Sequence, residues 1–322
     1  MTEVGSGLEM VASAVTPAAR RRVSDFLVLT KPRPMAVVLF TAIAGLVAAQ
    51  SGIAATTAML AIVCIALGGA GAAALNMWFE RDIDARMVRT VSRPLPSGRV
   101  SADEALLFAG LLILISIVTM ALAAGAAGAV MLSLTIVFYA GVYTMWLKRR
   151  SALNAVIGGG IASLLTPLTG WAAASGGLSL EAIALFVFLV PWTPAHVWSQ
   201  ALVRERDYAN AGVPMMPVVA GSQRTTRMIV WYTIAHSLAA LVPVALGMTG
   251  WLWLAVALCG GAALTTMSMQ LARGYSGADL HRQAWQFFRW NSIYVIALLL
   301  ALVIERGVPG AMAFTSIAGL GG

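Results

Sequence analysis

The chain has 322 residues, of which 60% are hydrophobic and 11% charged, and its mean hydropathy is +0.85. A soluble domain of this length cannot hide so much apolar surface, so that class is excluded and a polytopic membrane protein is left. The formal net charge of +8 needs no nucleic acid to explain it, because the basic residues collect in the loops between apolar blocks.

The first 22 residues carry Glu3 and Glu9 and then Arg20, Arg21 and Arg22. They lack the apolar core of a signal peptide, and the acids argue against a transit peptide, so 1–23 reads as a short disordered cytoplasmic tail. The uncharged block 34–79 is two spans long against the ~20 residues one crossing needs, and QSG at 50–52 divides it into a helical hairpin. Block 105–147 divides in the same way at AAGAAG, 123–128, and Ser101 with Glu104 forms a capping box that opens it. Blocks 151–180 and 182–203 make a third hairpin around SGGLS, with Glu181 at the turn, and block 228–272 turns at GMTG, 247–250. The last block, 290–304, extends backwards through WQFF with Arg289 snorkelling to the interface. The fold class expected is therefore all-α, with nine transmembrane helices over 24–305 and a short tail at 306–322.

Lys and Arg concentrate in cytoplasmic loops, which tests the count independently. Of the 21 basic residues, 20 lie before the first helix or after an even-numbered one, and only Arg306 falls on the other side. The N-terminus is accordingly expected in the cytoplasm and the C-terminal tail opposite. Cys64 and Cys259 both fall inside spans without CxxC spacing and read as buried small hydrophobes. GAGAAA at 69–74 imitates a dinucleotide fingerprint but has no strand before it; small residues that let membrane helices approach explain it and the glycines at 158–160 and 260–261.

Two cytoplasmic loops carry the chemistry. The first, NMWFERDIDARMVRTVSRPLPSGR at 76–99, sets three carboxylates and five arginines against the end of an apolar run. Asn76, Glu80 and Asp84 are spaced by four and form one helical stripe, from which Asp82 points away. Like charges on one stripe repel unless a cation sits among them, and Mg²⁺ suits a site in which one or two carboxylates hold the metal while a substrate's phosphates supply further oxygens. On this view removing the Asp84 charge relieves repulsion and leaves folding no worse. In the second loop, 191–221, His196, Gln200, Arg204 and Asp207 share a face if the helix continues that far. Arginines and carboxylates together are what a diphosphate requires, cations to neutralise it and acids to hold its metal. Lys31, Arg33, Arg93, Lys148, Arg149 and Arg204 are the candidate substrate-binding cations at this level. The plain alternative is that both loops simply obey the positive-inside bias, with the acids as counter-charges.

The stretch 76–98, with LTKPRP at 29–34, YTMWLKRR at 143–150, GW at 170–171 and DYANAGVPMMPVV at 207–219, resembles the protohaem IX farnesyltransferase (haem O synthase) branch of the UbiA-type intramembrane prenyltransferases. The resemblance runs from about 24 to 305. It implies nine helices around a central cavity, with farnesyl diphosphate and Mg²⁺ at the cytoplasmic mouth of an inner-membrane enzyme. It also implies haem b as the acceptor, one of whose vinyl groups is alkylated and hydrated to give haem O, and haem A synthase or terminal-oxidase assembly proteins as partners. Asn76, Glu80 and Asp84 match the first metal–diphosphate motif and Asp207 the acid of the second. Arg93 and Lys148 match basic positions near the diphosphate, and His196 matches a histidine on helix six, with a haem-side or proton-transfer role or a core role. Glu80 stands where the family usually has Asp, and TPAHVWSQAL and SALNAVIGG depart from the usual segments. A related enzyme acting on a quinone precursor or chlorophyllide is the second reading. A secondary transporter is the third, and it fits less well because the acids sit at helix ends rather than at mid-membrane.

Overall fold

The structure, a computed structural model, describes residues 17–307; 1–16 and 308–322, which include most of both expected tails, lie outside the described residues. Among the described residues the chain is all-α. Helix α1 spans Pro17–Leu29 and α2 Pro32–Ala48, followed by α3 Ala55–Phe79 and the single turn α4 Arg81–Asp84. Helix α5, Ala102–Val137, runs on through a π-helical stretch, Phe138–Trp146, and the 3₁₀ turn Leu147–Arg149. A second π turn, Ala155–Gly159, leads into α6 Gly160–Ser175; then come α7 Leu180–Phe186, α8 Leu189–Val203 and α9 Glu205–Asn210. The chain closes with α10 Met216–Ala239, α11 Val242–Ala245, α12 Trp251–Leu271 and α13 Gly277–Gly307. Residues 17–23, expected as part of a disordered tail, thus belong to a helix. By length and composition seven helices can cross a membrane, or eight when α1 and α2, bent by 47°, count as one span.

The four turns expected from the sequence all fall between or within these helices, and the second is the most informative. Ser101 and Glu104 form the capping box at the start of α5, the hydroxyl accepting from the Glu104 N–H. The stretch 102–149 has 48 residues, far longer than a ~30 Å hydrocarbon layer accommodates. It is broken at Gly125, whose φ of 80° and ψ of −179° are not helical. A Cβ placed on Gly68 of α3 would meet Ser116 Oγ at 3.0 Å and also Leu132 Cδ1 at 3.0 Å and Ile136 Cδ1 at 3.1 Å. Residues 16 or more apart on one straight helix would be more than about 20 Å apart, so α5 folds back on itself and grips α3 with both arms.

Lipid removes the hydrophobic drive between helices, and packing rests on close van der Waals approach. Helices α2 and α6 illustrate it. A Cβ on Gly45 would stand 1.9 Å from the Pro167 carbonyl oxygen, and one on Gly170 would stand 2.0 Å from that of Ala42. Only glycine lets these two backbones touch. The later helices fill space differently, with Phe186, Phe188, Trp198, Trp253 and Phe287 wholly buried. Cys64 is buried as expected, whereas Cys259 is exposed on the outer face of α12. A thiol is apolar enough to face lipid as readily as a core.

Candidate functional site at the mouth of an intramembrane cavity

The stripe predicted on the first loop exists, because the helical ladder survives the corner between α3 and α4. The Glu80 N–H donates to the Asn76 carbonyl at 2.9 Å and the Asp84 N–H to that of Glu80 at 2.8 Å, although Glu80 itself sits at φ −89°, ψ 6°. Asn76, Glu80 and Asp84 are buried, at 2%, 5% and 3% exposure. Asp82 leaves the stripe and pairs with Arg149, at 2.7 and 3.0 Å.

Each member of the stripe already has a basic partner drawn from elsewhere in the chain. Lys148 Nζ reaches Glu80 Oε1 at 2.6 Å and Arg93 Nη1 reaches Asp84 Oδ2 at 2.7 Å. Lys31 Nζ donates to Asn76 Oδ1, and Asn76 Nδ2 donates to Thr144 Oγ1 at 3.0 Å. Burial alone would raise the pKa of Glu80, but Lys148 and Lys31 outweigh it and hold the carboxyl below its usual range. The expectation that removing the Asp84 charge relieves repulsion is therefore corrected, since the charge is compensated and its loss strands Arg93.

Local backbone irregularities put these cations in place. Lys31 occupies the left-handed region at φ 49°, ψ 59° immediately before Pro32, since proline disfavours the right-handed helical region for the residue before it. Lys148 follows the π-helical stretch in which the Thr144 hydroxyl donates five residues back, to the Tyr139 carbonyl at 2.9 Å. Such stretches recur at functional sites. Nothing in composition or periodicity signals either irregularity.

The second loop departs from expectation. Helix α8 ends at Val203, and Arg204, at φ −118°, ψ 23°, turns the chain into the separate helix α9. A continuous face through His196, Gln200, Arg204 and Asp207 is therefore not formed. Asp207 instead meets the first loop through Arg89, whose Nε lies 3.9 Å from Asp207 Oδ2 and whose guanidinium lies over the Tyr208 ring at 5.6 Å. Arg89 is one of five arginines in the first loop, and nothing in its spacing sets it apart from the others. Arg204 is half-buried; burial, then the neighbouring Arg89, lowers its pKa, with Tyr208 and Asp207 pulling the other way. Arg149 is committed to Asp82 and to the Phe79 carbonyl at 2.8 Å, and Arg33 is exposed with no bond to the cluster among the described residues.

Beneath the stripe lies a cavity of about 390 Å³ whose lining includes Lys31, Tyr139, Tyr143, Thr193 and His196. His196 is stacked between Trp192, at 4.5 Å between centroids, and Phe288, at 4.4 Å, with Nδ1 3.5 Å from Ser292 Oγ. It is a cavity-wall residue about two turns before the end of α8 and makes no bond to the charged side chains among the described residues.

Asn76 Oδ1, Glu80 and Asp84 on successive turns form a hard-oxygen set suited to a divalent ion that keeps several outside ligands, as Mg²⁺ does. They do not suit an all-protein cage, since no group of three or more His, Cys, Asp or Glu ligands occurs among the described residues.

Long apolar helices around a cavity, with a mouth that mixes acids and bases, define a multi-span intramembrane protein built to hold a molecule with a charged head and an apolar body. The chain belongs to the UbiA prenyltransferase family, whose model matches residues 38–293. It is 41% identical over 310 residues to the protoheme IX farnesyltransferase of Methylorubrum extorquens, covering 96% of this chain and 98% of that one. It is 43% identical over 297 residues to the enzyme of the same name from Methylobacterium nodulans, covering 92% and 93%. Among solved structures, a digeranylgeranylglyceryl phosphate synthase superposes with TM-score 0.71 at 17% identity, covering 89% of this chain and 99% of that one. A UbiA homolog from Archaeoglobus fulgidus bound to DMAPP and Mg²⁺ does so with TM-score 0.64 at 17% identity, covering 87% and 99%.

Proposed function

We propose that this protein transfers the farnesyl group of farnesyl diphosphate to a vinyl group of haem b, giving haem O and diphosphate. The observation that carries the reading is the identity of 41% over 96% of the chain with a protein named for that reaction. The quinone, chlorophyllide and transporter readings have no comparable support.

The chain's own residues suit the first step. When the farnesyl C1–O bond breaks, negative charge accumulates on the diphosphate, and preorganised cations at that point lower the barrier. Lys31, Arg93, Lys148, Arg89 and Arg204 stand at the mouth, and Lys148 and Arg93 can exchange a carboxylate partner for phosphate oxygens without leaving it. Asn76, Glu80 and Asp84, with Asp207 from the other loop, would hold Mg²⁺, which when bound supplies further neutralisation of the leaving group. The A. fulgidus homolog is bound to DMAPP and Mg²⁺, which supports this assignment. Below the mouth, Tyr139 and Tyr143, with centroids 5.9 Å apart, bring aromatic rings into the cavity wall, and such rings favour a cation over water. At about 390 Å³ the cavity has the volume of one small ligand.

Counting the two arms of α5 as separate spans gives nine crossings, a count that agrees with the concentration of basic residues on one side; on this reading the mouth and N-terminus face the cytoplasm of an inner-membrane protein. The domain runs over 24–305, with α1 reaching back to Pro17 and α13 on to Gly307. A receiver of the product, such as haem A synthase or a terminal-oxidase assembly protein, is the partner this reading implies. Mass spectrometry of haems extracted from cells with and without the protein tests the function, haem O being expected only with it. Purified protein should lose farnesyl transfer in excess chelator and regain it with Mg²⁺. Haem O in both cell types, or full activity in chelator, would overturn the reaction or the metal respectively.

A further inference from the structure

The wall of the cavity carries hydroxyls whose hydrogens are already spent. Ser163 Oγ donates to the Gly160 carbonyl at 2.7 Å, with the Leu189 carbonyl also in reach at 3.1 Å. Thr193 Oγ1 donates to Ser163 Oγ at 2.8 Å, with its own Leu189 carbonyl at 3.1 Å. A hydroxyl has one hydrogen to give and two lone pairs to receive, so Ser163 and Thr193 offer the cavity acceptors and no free donor. One proline reinforces this. Pro167 sits inside α6 and cannot supply the N–H that would close on the carbonyl four residues earlier, that of the cavity-lining Ser163.

One turn beyond Thr193, on the same face of α8, stands His196, which also lines the cavity. Its Nδ1 is taken up by Ser292. Its Nε2 has no hydrogen-bond partner among the described residues and is not one of the buried orphan atoms, in contrast to Nε2 of His236. This nitrogen therefore opens to the cavity, and the flanking Trp192 and Phe288 rings fix the plane of the imidazole.

Resting on the proposed farnesyl transfer, we infer that Ser163, Thr193 and His196 hold the water that completes the product. Bond formation between farnesyl C1 and the terminal vinyl carbon leaves a cation on the vinyl carbon next to the porphyrin ring. A water donating one hydrogen to the Ser163–Thr193 acceptor pair and the other to His196 Nε2 keeps its oxygen lone pairs for that carbon. The C–O bond forms, the second proton passes to Nε2, and the electrons balance with no oxidant or reductant: farnesyl diphosphate, haem b and water give haem O, diphosphate and a proton. A wall with free donors would instead turn the water's lone pairs toward itself. Without the held water, the same cation loses a proton from the adjacent carbon and gives an alkene lighter by one water.

The test is the ratio of hydrated to dehydrated farnesyl haem, measured by mass spectrometry on folded, detergent-purified protein with haem b, farnesyl diphosphate and Mg²⁺, alongside diphosphate release. Thr193→Val and Ser163→Ala should shift the ratio severalfold toward the alkene while diphosphate release stays near that of the parent, and Thr193→Ser should restore haem O. Thr135 and Thr169, joined at 2.8 Å, provide the control. Thr169 lies six residues, about 9 Å, further along α6, so Thr135→Val with Thr169→Val should leave the ratio unchanged. An unchanged ratio in both the Thr193→Val and Ser163→Ala proteins overturns the assignment, as does an equal shift in the control. If the parent protein farnesylates no haem at all, the proposed reaction itself has failed, and that result is read before any variant is compared. His196→Gln, which keeps a hydrogen-bonding side chain but cannot take up a proton, should slow hydration and raise the alkene share. A normal share there removes His196 from the site.

Discussion

The two ends of the bundle both carry charge, and they use it in opposite ways. At the mouth, six basic side chains (Lys31, Arg89, Arg93, Lys148, Arg149 and Arg204) stand among four carboxylates, Glu80, Asp82, Asp84 and Asp207. At the far end a single arginine does the joining. Arg306 donates to Met248 O at 3.2 and 3.0 Å, to Ala48 O at 2.8 Å and to Glu181 at 2.7 Å, tying α13 to the turns after α2, α6 and α11. Beside it, Glu305 accepts from the N–H groups of Gly250 at 2.7 Å and Trp253 at 3.0 Å, satisfying donors that the start of α12 would leave orphaned. Arg306 spends its donors on fixed carbonyls and one acid, and so it is architecture. The mouth keeps cations beyond its acids and pairs each acid side chain to side chain, an arrangement that a polyanion can reorganise.

The strongest way to break this contrast is to substitute Asp84. Asp84→Asn should reduce haem O formation by about 10²-fold or more, the scale of losing a preorganised charge at a reacting centre, and should cost roughly 1–3 kcal/mol of stability through the stranded Arg93. Normal haem O yield per folded protein would make the mouth as purely architectural as the far end. At the neighbouring position Glu80→Asp should keep substantial activity, because it retains the ligand, while Glu80→Gln should lose most of it. Equal activity in the two variants would detach Glu80 from the metal.

Substitution at the far end should separate the two properties in the other direction. Arg306→Ala leaves three sets of acceptors without a donor, so a drop of about 2–4 kcal/mol in stability is expected, read as a lower melting temperature in detergent. Its turnover, measured well below that temperature, should stay within a factor of about two. A large loss of turnover with intact stability would show that the far end communicates with the cavity.

The smallest effect sharpens the comparison inside the mouth itself. Asp82 is paired with Arg149 at 2.7 Å, but its side chain is 53% exposed, and exposed ion pairs contribute about 0–1 kcal/mol. Asp82→Asn should therefore change stability by less than about 1 kcal/mol and leave farnesyl transfer nearly intact. A loss approaching that of Asp84→Asn would mean that the stripe is not what distinguishes the working acids.

Much of this molecule was legible in its sequence because the bilayer leaves a chain so few choices. A membrane span must satisfy its own backbone hydrogen bonds, so uncharged blocks read directly as helices and small-residue breaks as turns; QSG, SGGLS and GMTG all fall where the chain reverses. Four-residue spacing likewise determined that Asn76, Glu80 and Asp84 share a face and that Asp82 does not, since that follows from helical pitch alone. Which cation meets which acid was decided by tertiary structure. Lys148 reaches Glu80 across 68 residues and Arg89 approaches Asp207 between loops, pairings set by a left-handed Lys31, two π-helical stretches and the bend at Arg204, none of which leaves a periodic trace. The same holds for the Ser163–Thr193 bridge and the open nitrogen of His196. Hydroxyls on two apolar helices look ordinary in one dimension, and their spare acceptors face a common space only once α6 and α8 are packed together.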